Sequence, residues 1–511
     1  MTTSSVISLV TIILYLCFVV LVGLYIGSKT KKSAEGFFLG GRGLGPLVTA
    51  MSAEASDMSS YLLMGIPGLA YLTGLSEALW TAIGLGIGTY LNFLLVAKRL
   101  RVYSEKINAI TIPDFISKRY KEKTPIILGV SALVIIIFFI PYVASGLVAI
   151  GKLFNTFLGW PYMTAVLVGA LVIASYSVTG GFGAVATMDL IQACFMTFGL
   201  IVIIIFATDK AGGFGTAIEN AKAIPGYFTP FAIHNPETGG SSPYTLINII
   251  STMAWGLGYF GMPHILVRFM AIRDKNEITL SRRIASVWVF ISMGVAILIG
   301  IIGMSVSKNG IIPVLSGNDS ERVIVYLSNV LAQNGFFFAI VSGIILAGIL
   351  AATMSTADSQ LLCAASSFSE NLLQGVFKIK LDDKKTLIAA RVTILSMIFI
   401  AILFAQNPDS NIFGIVSFAW AGFGATFGPA VLLSLYWKRS NYQGIAAGII
   451  AGAITIFVWK FGIRPMGGAL NIYELLPAFL VNLIVTFVVS SITKEPSKEI
   501  QDEFETVIKS L

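Results

Sequence analysis

The chain has 511 residues, of which 56% are hydrophobic and only 12% are charged, and its mean hydropathy is +0.85. Soluble domains carry about 25% charged residues, so the composition excludes an ordinary soluble protein and predicts an integral membrane protein. The net charge of +8 would suit a nucleic-acid binder, but its placement along the chain follows membrane topology instead. We therefore expect the lipid bilayer as a partner, and no nucleic acid.

Thirteen apolar runs of about 20 residues follow one another, each long enough to cross a bilayer as a helix. The first, from Val6 to Gly27, lacks a basic leader and a small-residue cleavage pattern, so we expect a retained helix and not a signal peptide. The sequence thus predicts an all-α protein with thirteen transmembrane helices. The runs begin near Val6, Leu44, Ser76, Pro125, Pro161, Asp189, Pro243, Ile284, Gly335, Thr386, Asn411, Gly444 and Ile472.

Basic residues fall mainly on one side of these runs. If the amino terminus lies outside, 27 of the 34 Lys and Arg residues lie in internal loops or the tail. The positive-inside rule therefore predicts an outer amino terminus and a cytoplasmic carboxyl terminus in the cell membrane. The external side keeps only Lys152, Lys210, Lys222, Lys308, Arg322, Lys460 and Arg464.

Runs two to six and seven to eleven form two sets of five. Because each set has an odd number of helices, the second set must lie inverted relative to the first. The predicted units are an extra amino-terminal helix (1–30), a first repeat (44–208), a second repeat (243–437), two carboxyl-terminal helices (444–492) and a cytoplasmic tail (493–511). The tail is too short for a sensor or kinase module.

The first run of each set carries an interruption. In the second run, carboxylates at Glu54 and Asp57 lie among the hydroxyls of 52–60, and Pro67 follows. Ionisable groups at bilayer depth are costly and usually face a site. In the seventh run, three glycines and a proline interrupt residues 255–263. Paired interruptions at corresponding positions indicate the central binding site of an inverted-repeat transporter.

The ninth run carries a second dense polar cluster, at Ser355, Thr356, Asp358 and Ser359. Hard cations prefer oxygen ligands, which hydroxyls and the carbonyls of a broken helix both supply. Single hydroxyls often only bond their own helix, but four polar residues within five positions favour a function. Cys17, Cys194 and Cys363 lie inside apolar runs without metal-ligand spacing, and we expect packing residues and no disulfide.

Several long strings resemble the sodium/solute symporter family, and most of all its bacterial proline carriers. The similarity extends from roughly Tyr25 to Leu476. The strings are FLGGR at 38–42, AEASDMS at 53–59, WGLGYFG at 255–261, PHILVRFM at 263–270 and MST at 354–356. The resemblance implies a LeuT-like core, an inverted repeat of five plus five helices with broken first core helices.

The resemblance also implies a sodium-coupled symporter that imports L-proline by alternating access. Sodium would be the only metal, and no organic cofactor is expected. Its ligands would be the carbonyls of Ala55, Met58 and Ala352 and the hydroxyls of Ser355 and Thr356. The implied substrate-binding residues share positions near the breaks, where an aromatic box suits a pyrrolidine ring. They are Asp57, Ser59, Ser60, Tyr142, Trp255, Tyr259 and Pro263.

The chain departs from the proline carriers at Glu54 and Ser60, where they usually have glycine. Ser60 could narrow the pocket or add a hydrogen bond. Glu54 could share a proton or cation with Asp57, or face a polar partner on a neighbouring helix. Some relatives have a second sodium site, and Asp189, Asp358 and Ser359, with Ser355, occupy the corresponding positions.

Other functions stay open at this stage. A channel would need a continuous polar pore, and a sensor would need a separate signalling partner. Within transporters, the alternative is a sodium symporter for another small zwitterion or carboxylate, such as betaine or pantothenate. Arg42 is either part of a gate or a positive-inside anchor, and His264 is either structural or proton-coupled. The sequence does not determine the oligomeric state.

Overall fold

A computed structural model of the chain describes residues 2–29, 33–178 and 181–511. These residues are mostly helical, as the apolar runs predict. The end of the predicted amino-terminal unit, residue 30, and the basic residues Lys31 and Lys32 lie outside the described residues.

The first half of the chain contains the first interruption. A π-helical segment, Tyr61–Gly65, joins the third and fourth helices, and another, Asn92–Ala97, joins the fifth and sixth. The helices are α1 (Thr3–Lys29), α2 (Ala34–Leu39), α3 (Pro46–Ser60), α4 (Ile66–Thr73), α5 (Leu75–Leu91), α6 (Lys98–Lys106), α7 (Ile112–Arg119), α8 (Ile126–Leu158), α9 (Tyr162–Ser177), α10 (Phe182–Lys210) and α11 (Phe214–Lys222).

The second half opens with a short antiparallel hairpin, β1 (Ala232–His234) and β2 (Ser241–Pro243). A 3₁₀ segment, Ala254–Gly261, then separates two helices of the second interruption. The helices are α12 (Leu246–Met253), α13 (Pro263–Ala271), α14 (Ile278–Lys308), α15 (Val323–Ala332), α16 (Phe336–Ser366), α17 (Asp383–Phe404), α18 (Ile412–Tyr436), α19 (Tyr442–Val458), α20 (Leu475–Ile492) and α21 (Lys498–Lys509).

Ten helical stretches within the described ranges are long and apolar enough to cross a membrane. Two further apolar helices, Tyr162–Ser175 and Leu246–Gly261, are shorter. Helix α3 is also shorter than a full membrane span, because it ends at the first interruption. The chain is therefore a multi-pass helical membrane protein, while the count of thirteen spans stays a prediction.

Helix α16 lies at the centre of the molecule, packed against α1, α3, α8 and α10. Nearly every side chain from Ser342 to Ser366 is buried, polar ones included. Because many of these buried residues are small, neighbouring backbones approach α16 closely. This helix brings the polar cluster of the ninth run against the first interruption.

Helix α5 packs against the second interruption through glycines. A Cβ on Gly84 of α5 would meet the Met253 carbon atoms at 2.7 Å and 2.9 Å, and one on Gly88 would overlap Gly256. Real Cβ atoms do not approach so closely, so the backbones touch only because these residues lack side chains. The four-residue spacing of Gly84 and Gly88 therefore serves close helix contact.

Candidate functional site

The first interruption is a single strained residue. Ser59 has φ 47° and ψ −165°, a conformation that L-residues rarely adopt, while the residues on both sides are helical. Its Oγ accepts a hydrogen bond from the Tyr61 N–H at 3.1 Å. Strain of about 1–3 kcal/mol at a buried non-glycine residue persists only where the surroundings impose it, often at a binding site.

Predicted ligand oxygens from two helices meet beside this break. The Ser355 Oγ lies 2.7 Å from the Ala55 carbonyl oxygen and 3.1 Å from that of Ala352. The Thr356 hydroxyl donates to the same Ala352 carbonyl at 3.2 Å. Met58 lies further along α3, and its carbonyl accepts from the Tyr61 N–H. Neutral, hard oxygens clustered in a buried site suit a small monovalent cation.

Asp57 joins the break to the second interruption and to α8. Its carboxylate accepts a hydrogen bond from the Tyr259 hydroxyl, and its main-chain carbonyl accepts one from the Tyr142 hydroxyl at 3.1 Å. All three side chains are buried. The structure thus brings together three residues that are far apart in the sequence, and the carboxylate points into protein and not into lipid.

Aromatic rings surround Trp255 on the side of the break. Its ring centroid lies 5.2 Å from Tyr61, 5.4 Å from Phe413 and 5.2 Å from Tyr473. The Trp420 indole N–H donates to the Trp255 carbonyl at 2.8 Å. These rings form an aromatic box that sequence reasoning found only in part.

Four residues of this aromatic box were missed: Tyr61, Phe413, Trp420 and Tyr473. Tyr61 directly follows the polar string, and that position was a usable signal. The other three lie on distant segments without a local pattern that marks them. Trp255, Phe413 and Tyr473 also line a cavity of about 310 Å³, which lies beside the hairpin and includes Glu77 and Arg464.

A buried ion pair anchors Phe413. The Lys152 Nζ lies 2.6 Å from the Glu321 Oε2, and both side chains are almost fully buried. The other carboxylate oxygen of Glu321 accepts from the Phe413 N–H at 3.1 Å. Lys152 also donates to the Ser410 carbonyl at 2.8 Å. Lys152 belongs to α8, and Ser410 and Phe413 flank the start of α18. These hydrogen bonds therefore tie the start of α18 to α8.

The departures Glu54 and Ser60 are both buried next to the break. The Glu54 Oε2 and the Ser60 Oγ have no hydrogen-bond partner among the described residues. Buried polar groups are usually satisfied, so these two groups beside the break are candidates to bind a ligand. Both alternatives for Glu54 stay open.

Two of the residues predicted for a second cation, Asp189 and Ser359, contact an arginine that sequence reasoning missed. The Arg268 guanidinium contacts the Asp189 carboxylate at 2.8 Å and the Ser359 hydroxyl at 2.6 Å. The Ser52 hydroxyl donates to Asp189 at 2.6 Å and accepts from the Arg268 Nε at 2.7 Å. The Asp358 Oδ1 has no partner among the described residues. An arginine in the string PHILVRFM was the available signal, since a cation at this depth needs a partner.

Pro263 and His264 begin α13, directly after the second interruption. His264 is buried, and neither ring nitrogen has a hydrogen-bond partner among the described residues. Its ring lies 5.6 Å from that of Phe139, and its carbonyl accepts from Arg268. Pro263 occupies the first position of α13, where its missing N–H costs nothing.

Arg42 ties together three segments next to the predicted inner face. Its guanidinium donates to the Met270 carbonyl and to the Ala109 carbonyl, each at 2.8 Å, and to the Ser104 hydroxyl at 3.2 Å. Burial lowers the pKa of Arg42 from its usual value, with no loss of charge near neutral pH. These contacts hold Arg42 against protein, and both the gate and the anchor stay predictions.

Known proteins resemble this chain over nearly its whole length. The model of the "Sodium:solute symporter family" matches residues 37–452. The osmoregulated proline transporter OpuE of Bacillus subtilis (strain 168) is 41% identical over 491 residues, covering 95% of this chain and 94% of that protein. The sodium/proline symporter of Escherichia coli (strain K12) is 41% identical over 500 residues, covering 97% and 95%.

Two solved structures share the fold. A Na⁺-coupled sialic acid symporter in a substrate-bound, outward-open state matches with a TM-score of 0.79 at 18% identity, covering 96% of this chain and 99% of that one. Mhp1, a nucleobase-cation-symport-1 family transporter in a closed conformation, matches with a TM-score of 0.55 at 13% identity, covering 92% and 97%. At these identities the likeness shows the architecture alone.

Proposed function

The chain belongs to the sodium:solute symporter family, and from this premise we propose that it is a sodium-coupled symporter that imports L-proline by alternating access. Relatives of about 40% identity over nearly the full chain are named as proline transporters or sodium/proline symporters. The observation that carries the proposal is the meeting of ligand oxygens and Asp57 at one strained break.

Sodium would bind where α3 and α16 meet. We propose the carbonyls of Ala55, Met58 and Ala352 and the hydroxyls of Ser355 and Thr356 as its ligands. In support, Ser355 and Thr356 already bond two of these carbonyls, so the hydroxyl groups need only turn toward an ion to coordinate it. A cation here would stabilise the packing of the broken helix on α16.

Proline would bind on the other side of the break, among Asp57, Ser59, Ser60, Tyr142, Trp255, Tyr259 and Pro263. The rings of Trp255 and Tyr259 offer apolar surface to the pyrrolidine ring. The unpaired Ser60 hydroxyl can donate to the substrate carboxylate, which also suits the N–H groups freed by the break. Asp57 would favour both cations, sodium and the substrate ammonium, and so couple them.

We also propose a second cation position, or a sodium exit waypoint, formed by Asp189, Asp358 and Ser359 with Ser355. The charge balance supports this position, since Arg268 pairs with Asp189, while the Oδ1 atom of Asp358 has no hydrogen-bond partner among the described residues. Any cation there has to share the site with the guanidinium. Transport with one sodium per substrate, unchanged in Asp358→Asn, would count against this second position.

The topology proposed here follows the predicted units. We propose thirteen spans, an outer amino terminus and a cytoplasmic carboxyl terminus, because the basic loops would then lie inside. The repeats 44–208 and 243–437 would move relative to each other during alternating access, flanked by helices of 1–30 and 444–492 and the tail 493–511. One sodium ion would contribute about 2.3 kcal/mol per 100 mV of membrane potential, in addition to its chemical gradient.

The test is uptake of labelled L-proline into proteoliposomes that contain the purified chain. We expect accumulation with an inward sodium gradient, little with potassium, and counterflow when unlabelled proline is inside. Unlabelled betaine and pantothenate serve as competitors. Competition by betaine or pantothenate that exceeds that of proline would establish the alternative cargo. Flux without saturation or counterflow would indicate a channel and overturn the proposal.

A further inference from the structure

A deep apolar groove lies on the membrane-facing side of the molecule, between α10 and α14. Its volume is about 640 Å³, and its walls are almost entirely apolar. Val287 and Ile291 of α14 and Ile201 of α10 are at least half exposed along its rim. Both helices are long and apolar enough to cross the membrane, so the groove opens toward lipid acyl chains.

The floor of the groove is held in place by protein contacts. The Trp288 indole N–H donates to the Thr197 hydroxyl at 2.9 Å, which ties α14 to α10. The Thr197 hydroxyl in turn bonds the Ala193 carbonyl at 2.8 Å. Met51 of α3 closes the bottom of the groove and is itself buried. Because these contacts fix its depth, the groove exists before any ligand enters.

One end of the groove carries a free cation. Arg283, near the start of α14, lines the groove and is exposed to its surroundings. Among the described residues it has no ion pair or hydrogen bond, whereas its neighbour Arg282 lies 5.0 Å from the Tyr90 ring. On the proposed topology this end faces the cytoplasm. A guanidinium at that level binds a phosphodiester well, because its donors match phosphate oxygens.

A second groove provides an internal comparison. It lies at the other end of α10, beside α15 and α16, and its volume of about 610 Å³ is similar. Its cation, Lys210, already has an acidic neighbour, since its Nζ lies 3.2 Å from the Asp209 carboxylate. An anionic headgroup there would meet a compensated charge. Of these two grooves, the first combines an apolar channel with a cation that has no partner among the described residues.

We propose that the groove between α10 and α14 is a binding site for one anionic glycerophospholipid. An acyl chain would lie along Val287, Trp288 and Ile291, and the headgroup phosphate would bind Arg283. Burial of the chain removes apolar surface from a crevice that bulk lipid fills poorly, and the guanidinium selects the negative headgroup. This site is separate from the proposed sodium and proline positions.

The test measures lipid retention and does not require transport. The purified full-length chain is exposed in detergent to equal amounts of phosphatidylglycerol and phosphatidylethanolamine, and bound lipid is counted by native mass spectrometry. We expect one tightly retained phosphatidylglycerol per wild-type chain. Arg283→Gln should reduce the preference for phosphatidylglycerol about fivefold, the effect expected from one basic residue at the membrane surface.

Two tryptophan variants separate this groove from its counterpart. Val287→Trp fills the groove and should abolish the retained lipid, whereas Ile205→Trp fills the second groove and should leave it bound. If Val287→Trp fails to fold, the Arg283→Gln comparison still decides. Equal retention of both lipids by wild type and Arg283→Gln would overturn the proposal. So would a wild-type dimer in lipid-free detergent that Val287→Trp dissociates, because a second copy would then cover the groove.

Discussion

The two interruptions of this membrane protein differ in how the helix is broken and in what each break offers. The first is one strained residue, Ser59, within a string of buried hydroxyls and carboxylates. The second is an eight-residue 3₁₀ segment, Ala254–Gly261, that carries rings and glycines. A sharp break frees main-chain oxygens at one point, whereas a 3₁₀ segment displaces a whole stretch of side chains.

This difference indicates a division between the breaks, in which each break suits a different ligand. Oxygens from the first break meet hydroxyls of α16, which suits a cation, while Trp255 of the second break stacks in the aromatic box, which suits an apolar ring. Asp57 and Tyr259 connect the two through one hydrogen bond. Coupling between a metal ion and an organic substrate then needs only this short connection.

Arg268 should have the largest effect, because it joins the helix after the second break to the helix before the first. Arg268→Ala leaves the buried Asp189 without its charge partner. Loss of one partner of a buried ion pair costs about 3–5 kcal/mol, so we expect a large loss of stability. Thermal unfolding of the detergent-solubilised protein measures it. The control is Arg391→Ala, which removes an exposed arginine that donates to the Val178 carbonyl, and equal destabilisation by both variants would contradict the prediction.

Gly258 tests whether the second break depends on close packing. A Cβ at this position would overlap the Trp420 indole in the aromatic box. Forcing an extra methyl group into such a contact costs about 1–3 kcal/mol, so Gly258→Ala should lower the melting temperature. Gly294→Ala is the matched control in α14, where no atom lies within 4 Å of the added Cβ. There the better helix propensity of alanine should stabilise the protein by up to about 1 kcal/mol.

The division itself predicts opposite effects on the two ligands. Trp255→Ala should weaken proline affinity about tenfold, which corresponds to about 1.4 kcal/mol of binding free energy. Its effect on sodium affinity should be smaller. Ser355→Ala should do the reverse, since it removes a proposed sodium ligand. Uptake rates measured as a function of proline concentration and of sodium concentration give the two affinities. As a control, Ser342→Ala removes a buried hydroxyl of the same helix that bonds the Ser328 carbonyl. Equal effects on both ligands from Trp255→Ala and Ser355→Ala would refute the assignment.

The smallest effect concerns the backbone of the first break. Because L-residues pay about 1 kcal/mol or more for positive φ, Ser59→Gly should be more stable than Ser59→Ala by about 1 kcal/mol. At Ser56, which is helical, the order should reverse, since glycine is the poorer helix former. Melting temperatures of the four variants decide. The same order at both positions would show that residue 59 is not held in the strained conformation.

Much of the site followed from local patterns and from the family resemblance. The polar strings at 52–60 and 355–359 are conspicuous in apolar surroundings, and the family they resemble is confirmed over residues 37–452. The roles of individual residues stay predictions, although the contacts of Ser355, Tyr142 and Tyr259 bring them to the first break. Arg268 was missed because an arginine near the end of an apolar run resembles a loop cation, although its place in the string PHILVRFM was a usable signal.

The aromatic box shows the same limit. Tyr61 lies early in the chain, whereas Phe413 and Tyr473 lie near its end, and the distances between their rings are set by how α18 and the segment before α20 pack. The groove between α10 and α14 is likewise invisible in the sequence, since exposed and buried apolar residues look alike in a membrane helix. A pattern predicts which residues face away from water but not which helix they face.

By itself the sequence determined that the protein is helical and crosses the membrane, which family it belongs to, and where two of its helices are interrupted. These properties depend on hydropathy, on helix length and on residues adjacent in the chain. The folded structure was needed to show that Arg268 lies between Asp189 and Ser359 and that four further rings complete the box around Trp255. It also shows that one groove has a guanidinium without a partner among the described residues. Those are contacts between distant segments, and in an apolar protein many packings satisfy the same hydropathy.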